Sequence, residues 1–124
     1  MKSVARSFLG AEAAAFATAA LIHAGILLRG YEHSKAATAE TVIGAALVAA
    51  FISTFASPQS ARTIALAAQG FALLGTGIGL FTIAIGVGPR TGLDLLIHGG
   101  LVTALVTGLL VVARGPVRQL TEHA

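Results

Sequence analysis

The sequence contains no cysteine, which excludes disulfides, thiolate metal sites and thiol catalysis. Charge is scarce. Only 10% of its 124 residues are Asp, Glu, Lys or Arg, against roughly a quarter in soluble domains. The formal charge of +3 is small, and no basic, aromatic-interleaved patch occurs, so nucleic acid is not an expected partner. Neither GxxxxGK nor GxSxG is present, so the usual phosphate loop and hydrolase elbow are missing. Proline occurs three times, each one just after an apolar segment. No hydrophilic domain or long loop is available for a substrate pocket, so soluble enzyme activity is not expected.

What remains is apolar: 56% of the residues are hydrophobic. Four runs stand out, Leu9 to Leu28, Thr41 to Ala56, Ile64 to Val87 and Leu93 to Ala113. A bilayer crossing takes about 17–25 residues. Allowing for helix ends, the expected spans are 8–29, 36–56, 62–87 and 92–114, in one integral membrane domain over 1–124. The second helix begins near Lys35 or Ala36 with Ser34 as N-cap. Ser57-Pro58-Gln59-Ser60, Gly86 to Arg90 and Gly115-Pro116 end the later helices. Lys2, Arg6 and the Ala-rich first run also suit a cleaved signal peptide. Glu12 interrupts that run and no small-residue cleavage site follows it before Arg29, so it is read as a span. The fold class is all-α, a four-transmembrane-helix bundle.

A repeat is visible within the chain. Ala39–Phe51 aligns with Leu93–Leu105, which matches Glu40 to Asp94 and Gly44 to His98. Upstream, Glu12 matches Gln69. The chain then reads as two helical hairpins in parallel orientation. Lys2, Arg6, Arg62, Arg114 and Arg118 fall on one side, and Arg29, Lys35 and Arg90 on the other. The positive-inside rule therefore expects both termini in the cytoplasm. Gly75 and Gly79 form a GxxxG, and Gly100 and Gly108 continue such a spacing on the fourth helix. These small residues let helix backbones approach.

Ionisable residues inside a bilayer are costly and mark candidate sites. The stretch Ile83–Gly100 holds Asp94 and His98, one helical turn apart on one face. His23 and His98 lie at about the same depth, roughly 8 Å below the outer ends of their helices. Glu40 and Asp94 begin their helices on that side. Glu32 and His33 sit in the loop above, and Glu12 lies near the inner face. The expected site is thus His23, Glu40, Asp94 and His98, with Glu32, His33 and Glu12 secondary. Arg90 is read as an interfacial anchor, with Asp94 or Glu40 as alternative partners.

Three readings of this set stay open. In the first, the polar residues fix packing in an accessory or structural membrane subunit, with Glu40 and Asp94 as favourable charges at helix N-termini. In the second, His23 and His98 ligate a metal ion or haem with Asp94 and Glu40 as further ligands. In the third, the site relays protons or ions, or lines a quinone pocket, within a transporter or redox complex. Partners are the bilayer and either further copies of the chain or a larger membrane complex.

Gly30–His33, the segment AQGFALLGTGIGLFTIAIGVGPRT over Ala67–Thr91, and the following Asp94 and His98 together resemble a family of small four-helix bacterial membrane proteins, usually labelled hypothetical. The resemblance covers nearly the whole chain. It implies four spans in a bacterial inner membrane and brings no activity with it.

Overall fold

The structure is a computed structural model and describes residues 1–115. Arg118 and His123 lie outside them.

Four helices form, α1 (Lys2–His23), α2 (Ser34–Ala56), α3 (Ala61–Ala84) and α4 (Gly92–Ala113), with a 3₁₀ turn at Pro58–Ser60 joining α2 to α3. No strand occurs among the described residues. Each helix is long and apolar enough to cross a membrane. They run up and down in order, and α1 packs against all three others. One end of the bundle, the loop end, carries the α1–α2 and α3–α4 connections.

The inward stripes explain the bundle. In α1 the buried residues include Ala5, Leu9, Glu12, Phe16, Ala19 and His23. In α4 they are Asp94, His98, Leu101, Leu105, Gly108 and Val112. Both sets step by four and three, the spacing of a narrow helix-packing seam. The outer faces are apolar too: Ile52, Phe55, Leu74, Phe81 and Leu96 are exposed. Bulky apolar side chains thus lie on both faces, and the buried seam also takes in Glu12, His23, Asp94 and His98, unlike an amphipathic helix packed on a soluble core.

The breaks have separate causes. The first apolar run continues through Leu28, yet α1 stops at His23. Gly25 adopts φ +74°, Ile26 N–H donates to Leu21 O and Gly25 N–H to Ile22 O. This is a glycine-terminated Schellman ending. Ile26, Leu27 and Leu28 are therefore exposed loop, with Ile26 70% accessible. Gly86 ends α3 in the same way at φ +86°, with Val87 N–H on Thr82 O and Gly86 N–H on Ile83 O. At α2 the N-cap is His33, one residue before the expected Ser34, and its Nδ1 accepts from Ala36 N–H at 3.2 Å.

Three arginines close helix C-termini, where the last carbonyls have no partner within their own helix. Arg6 donates to Thr54 Oγ1 and Thr54 O of α2, its guanidinium stacked 4.0 Å from the Phe55 ring. Arg62 donates to Val112 O and Ala113 O of α4. Arg90 donates to Ile83 O and Ala84 O of α3. Arg90 is thus a cap on α3 and pairs with neither Asp94 nor Glu40.

The glycines expected at helix contacts divide. A Cβ on Gly75 would come within 2.7 Å of Ile43 Cδ1, so α2 and α3 approach there. A Cβ on Gly79 would meet His98 Nε2 at 3.3 Å, and one on Gly108 would collide with Glu12 and Gln69. A Cβ on Gly100 would meet nothing within 4 Å among the described residues, so no close helix approach is seen there.

Candidate functional site

The loop end gathers the four expected residues. His23 closes α1, Glu40 lies in the second turn of α2, and Asp94 and His98 occupy the first two turns of α4. All four are buried: His23 and Asp94 are 1% exposed, Glu40 4% and His98 6%.

His23 is the hub. Its Nδ1 lies 2.7 Å from Glu40 Oε2, and its Nε2 lies 2.8 Å from Asp94 Oδ1. One imidazole therefore links α1 to both α2 and α4. The second Asp94 oxygen accepts from the Thr91 backbone N–H at 2.8 Å and from the Thr91 hydroxyl. Asp94 N–H donates back to Thr91 Oγ1 at 3.2 Å, which completes a capping box at the start of α4. Asp94 is thus a helix-start charge and a histidine partner at once. Glu40 lies beyond the first turn of α2 and serves only the second role.

His98 stands beside this trio without bonding to its side chains. Its ring centroid is 6.4 Å from that of His23, tilted by 48°. Its Nδ1 is 2.8 Å from the backbone carbonyl of Asp94. A carbonyl only accepts, so Nδ1 carries the hydrogen and Nε2 of the neutral ring is a bare acceptor. That Nε2 points toward Gly79 on α3. A cleft of about 180 Å³ between α2 and α3 is lined by His98, Glu40, Thr76 and Gly79 among apolar side chains.

The chain matches no protein-family model. No curated protein and no solved structure matches it either.

The secondary residues go elsewhere. Glu32 folds back on its own loop, where its carboxylate accepts from the Gly30 N–H at 2.9 Å. Its own backbone N–H and that of Gly30 hold its carboxyl below the usual glutamate range. His33 caps α2, and its N–H donates to His23 O at 2.9 Å, so it ties the loop to the end of α1. Glu12 forms a second buried cluster, about 16 Å along α1 from His23 at 1.5 Å per residue. There Gln69 Nε2 donates to both Glu12 oxygens, at 2.9 and 3.1 Å. Gly108 leaves the room this pair needs.

As metal ligands the set is poorly disposed. Both ring nitrogens of His23 are committed to carboxylates. Among the described residues no three His, Asp or Glu side chains converge as ligands. The cleft beside His98 has room for one small ring, not for a four-ring macrocycle.

Hydrogen counting defines what the trio can do. Carboxylate oxygens only accept, so each of the two short contacts on His23 requires a hydrogen between the groups. A neutral imidazole supplies one. The trio therefore holds a second, as an imidazolium or as a protonated carboxyl. Asp94 already accepts two further donors from Thr91, which favours its ionised form. Glu40 has both oxygens on His23 Nδ1, at 2.9 and 2.7 Å, and is the trio member that lines the cleft.

Depth alone located the four residues. The roles of Thr91 and Gly79 were missed as site features, although T-x-x-D ahead of an apolar run is a readable capping signal.

Proposed function

We propose that the chain is a small integral membrane subunit whose His23–Glu40–Asp94 trio is a proton-holding centre in the outer half of the bundle. The observation that carries this reading is the single buried imidazole gripped on both nitrogens by carboxylates, which needs one hydrogen more than a neutral ring provides. Four long apolar helices that bury polar side chains and expose large apolar ones support a bilayer setting. The excess of Lys and Arg at the terminal end and the α2–α3 connection supports cytoplasmic termini. The family resemblance supports a bacterial inner membrane.

In this reading Asp94 and its Thr91 cap fix the His23 ring. Glu40 and Nδ1 share the mobile proton and pass it to whatever occupies the cleft beside them. A relay of this kind serves a larger redox or transport assembly, in which this chain is an accessory subunit. The trio also clasps α1, α2 and α4, so stability and proton holding share the same residues.

Infrared spectroscopy of the protein in lipid nanodiscs tests this. As pH rises within the range where the fold persists, one titration should appear as a linked carboxyl and imidazole change. Glu40→Gln should abolish it, and Glu12→Gln should leave it intact. A wild-type spectrum with no Glu40-dependent proton loss anywhere in that range would end the proton reading and leave a packing clasp.

A further inference from the structure

We infer that the cleft between α2 and α3 binds a membrane-soluble ring compound bearing a hydroxyl, a phenol in chemical class, with the O–H donated to Nε2 of His98. This deepens the proton-centre reading by naming what the cleft takes, and it rests on that reading for the bilayer setting.

The inner wall of the cleft offers acceptors. His98 is 94% buried, its Nδ1–H is spent on Asp94 O, and among the described residues no group donates to its Nε2. Thr76 donates its hydroxyl to Ala72 O at 2.8 Å, and Thr82 donates to Gly79 O at 2.7 Å. Neither has a hydrogen left for an occupant. Glu40 lines the cleft with both carboxyl oxygens turned to His23 Nδ1, at 2.9 and 2.7 Å, so the hydrogen they share lies on that contact. The lining side chains able to donate, Lys35 and His33, stand at the start of α2, at the mouth. An acyl chain in this space would leave Nε2 unpaired, which is unfavourable for a buried acceptor. A carbonyl would set lone pair against lone pair. A hydroxyl satisfies it.

Size and shape narrow the class. A dry apolar cavity of about 150 Å³ accepts benzene. At about 180 Å³ this cleft holds one substituted ring. Phe16, Ile43, Ile78 and Leu101 supply apolar walls, and Gly79 keeps the approach to Nε2 open.

The probes are 4-fluorophenol and 4-fluoroanisole, which differ in the hydroxyl hydrogen. Binding is read by fluorine NMR on protein in phosphatidylcholine nanodiscs, against empty nanodiscs. Wild type should bind the phenol saturably, about tenfold or more tighter than the ether. Gly79→Ala should remove that binding while helix content and melting are kept, since alanine is the better helix former. His98→Phe should remove the preference for the phenol. Equal saturable binding of both probes, no saturable phenol binding in wild type, or undiminished binding in Gly79→Ala would each overturn the assignment. The infrared experiment uses no ligand. A failed phenol titration with an intact Glu40 signal removes only the ligand class, and the converse removes only the proton centre.

Discussion

The two buried polar clusters of this bundle are built on the same helix and satisfied to different degrees. At the loop end, His23 meets Glu40 and Asp94, Asp94 meets Thr91, and every contact is complete. At the other end, Gln69 Nε2 serves both oxygens of Glu12, while Gln69 Oε1 has no partner among the described residues. A buried acceptor without a donor costs about 1–3 kcal/mol, so the second cluster is under tension where the first is closed. The difference teaches that burial of polar groups has two uses in one fold. One cluster is complete and poised around a shared hydrogen. The other is an incomplete pairing wedged into a gap that only glycine leaves open.

The largest way to break the contrast is His23→Phe. It strands two buried carboxylates and should lower unfolding free energy by about 3–5 kcal/mol, measured by reversible denaturant unfolding in mixed micelles. Adding Glu40→Gln and Asp94→Asn should recover much of the loss, because the charges left behind are then removed. Equal instability of the single and triple variants would mean that the imidazole acts by shape alone. Next is Gly108→Ala. Its methyl group would collide with Glu12 and Gln69, and about 1–3 kcal/mol should be lost in the same assay. A smaller effect of opposite sign is expected for Glu12→Gln. The new amide offers a donor to the orphaned Gln69 oxygen and should raise stability by about 1 kcal/mol. A loss instead would show that the charge of Glu12 is itself needed there.

The smallest effect concerns the loop above the complete cluster. The Glu32 carboxyl is depressed by its own N–H and that of Gly30. Its ordering contribution is present above the ordinary glutamate range and is lost as acid takes pH down through the lower folded value. The Gly30 amide resonance, followed by NMR, should titrate at a pH below that of a free glutamate. A midpoint at the ordinary value would place the carboxylate off its partner.

Much of this was legible in the sequence, for identifiable reasons. The four helices follow from long apolar runs, and Pro58 and Gly86 mark where two of the breaks fall. Depth along each helix brought His23, Glu40, Asp94 and His98 to one level. Rotation about each helix axis is not part of a depth argument, so the double grip on His23 was hidden. The early end of α1 was hidden too, because hydropathy continues through Ile26–Leu28 and does not register the left-handed turn at Gly25. Arg90 was assigned to the membrane interface or to a carboxylate partner. A guanidinium and bare helix-end carbonyls satisfy one another just as well.

Polar residues paired in the sequence alignment come together in the fold. Glu12 and Gln69, which correspond in the alignment, touch each other. Glu40 and Asp94, which also correspond, hold opposite nitrogens of one ring. Arg6 and Arg62, each near the start of its hairpin, cap the ends of α2 and α4.

His23 has no such counterpart, since the position 57 residues on, the Glu12-to-Gln69 offset, is Leu80. The ring that bridges these two carboxylates thus comes from the first hairpin alone. Two copies of the first hairpin would bring two His23 rings where one bridges Glu40 and Asp94, and two copies of the second would bring none at that position, since its His98 bonds the Asp94 backbone instead. The halves cannot be exchanged, and the asymmetry of a single ring makes this architecture a pair of unlike halves.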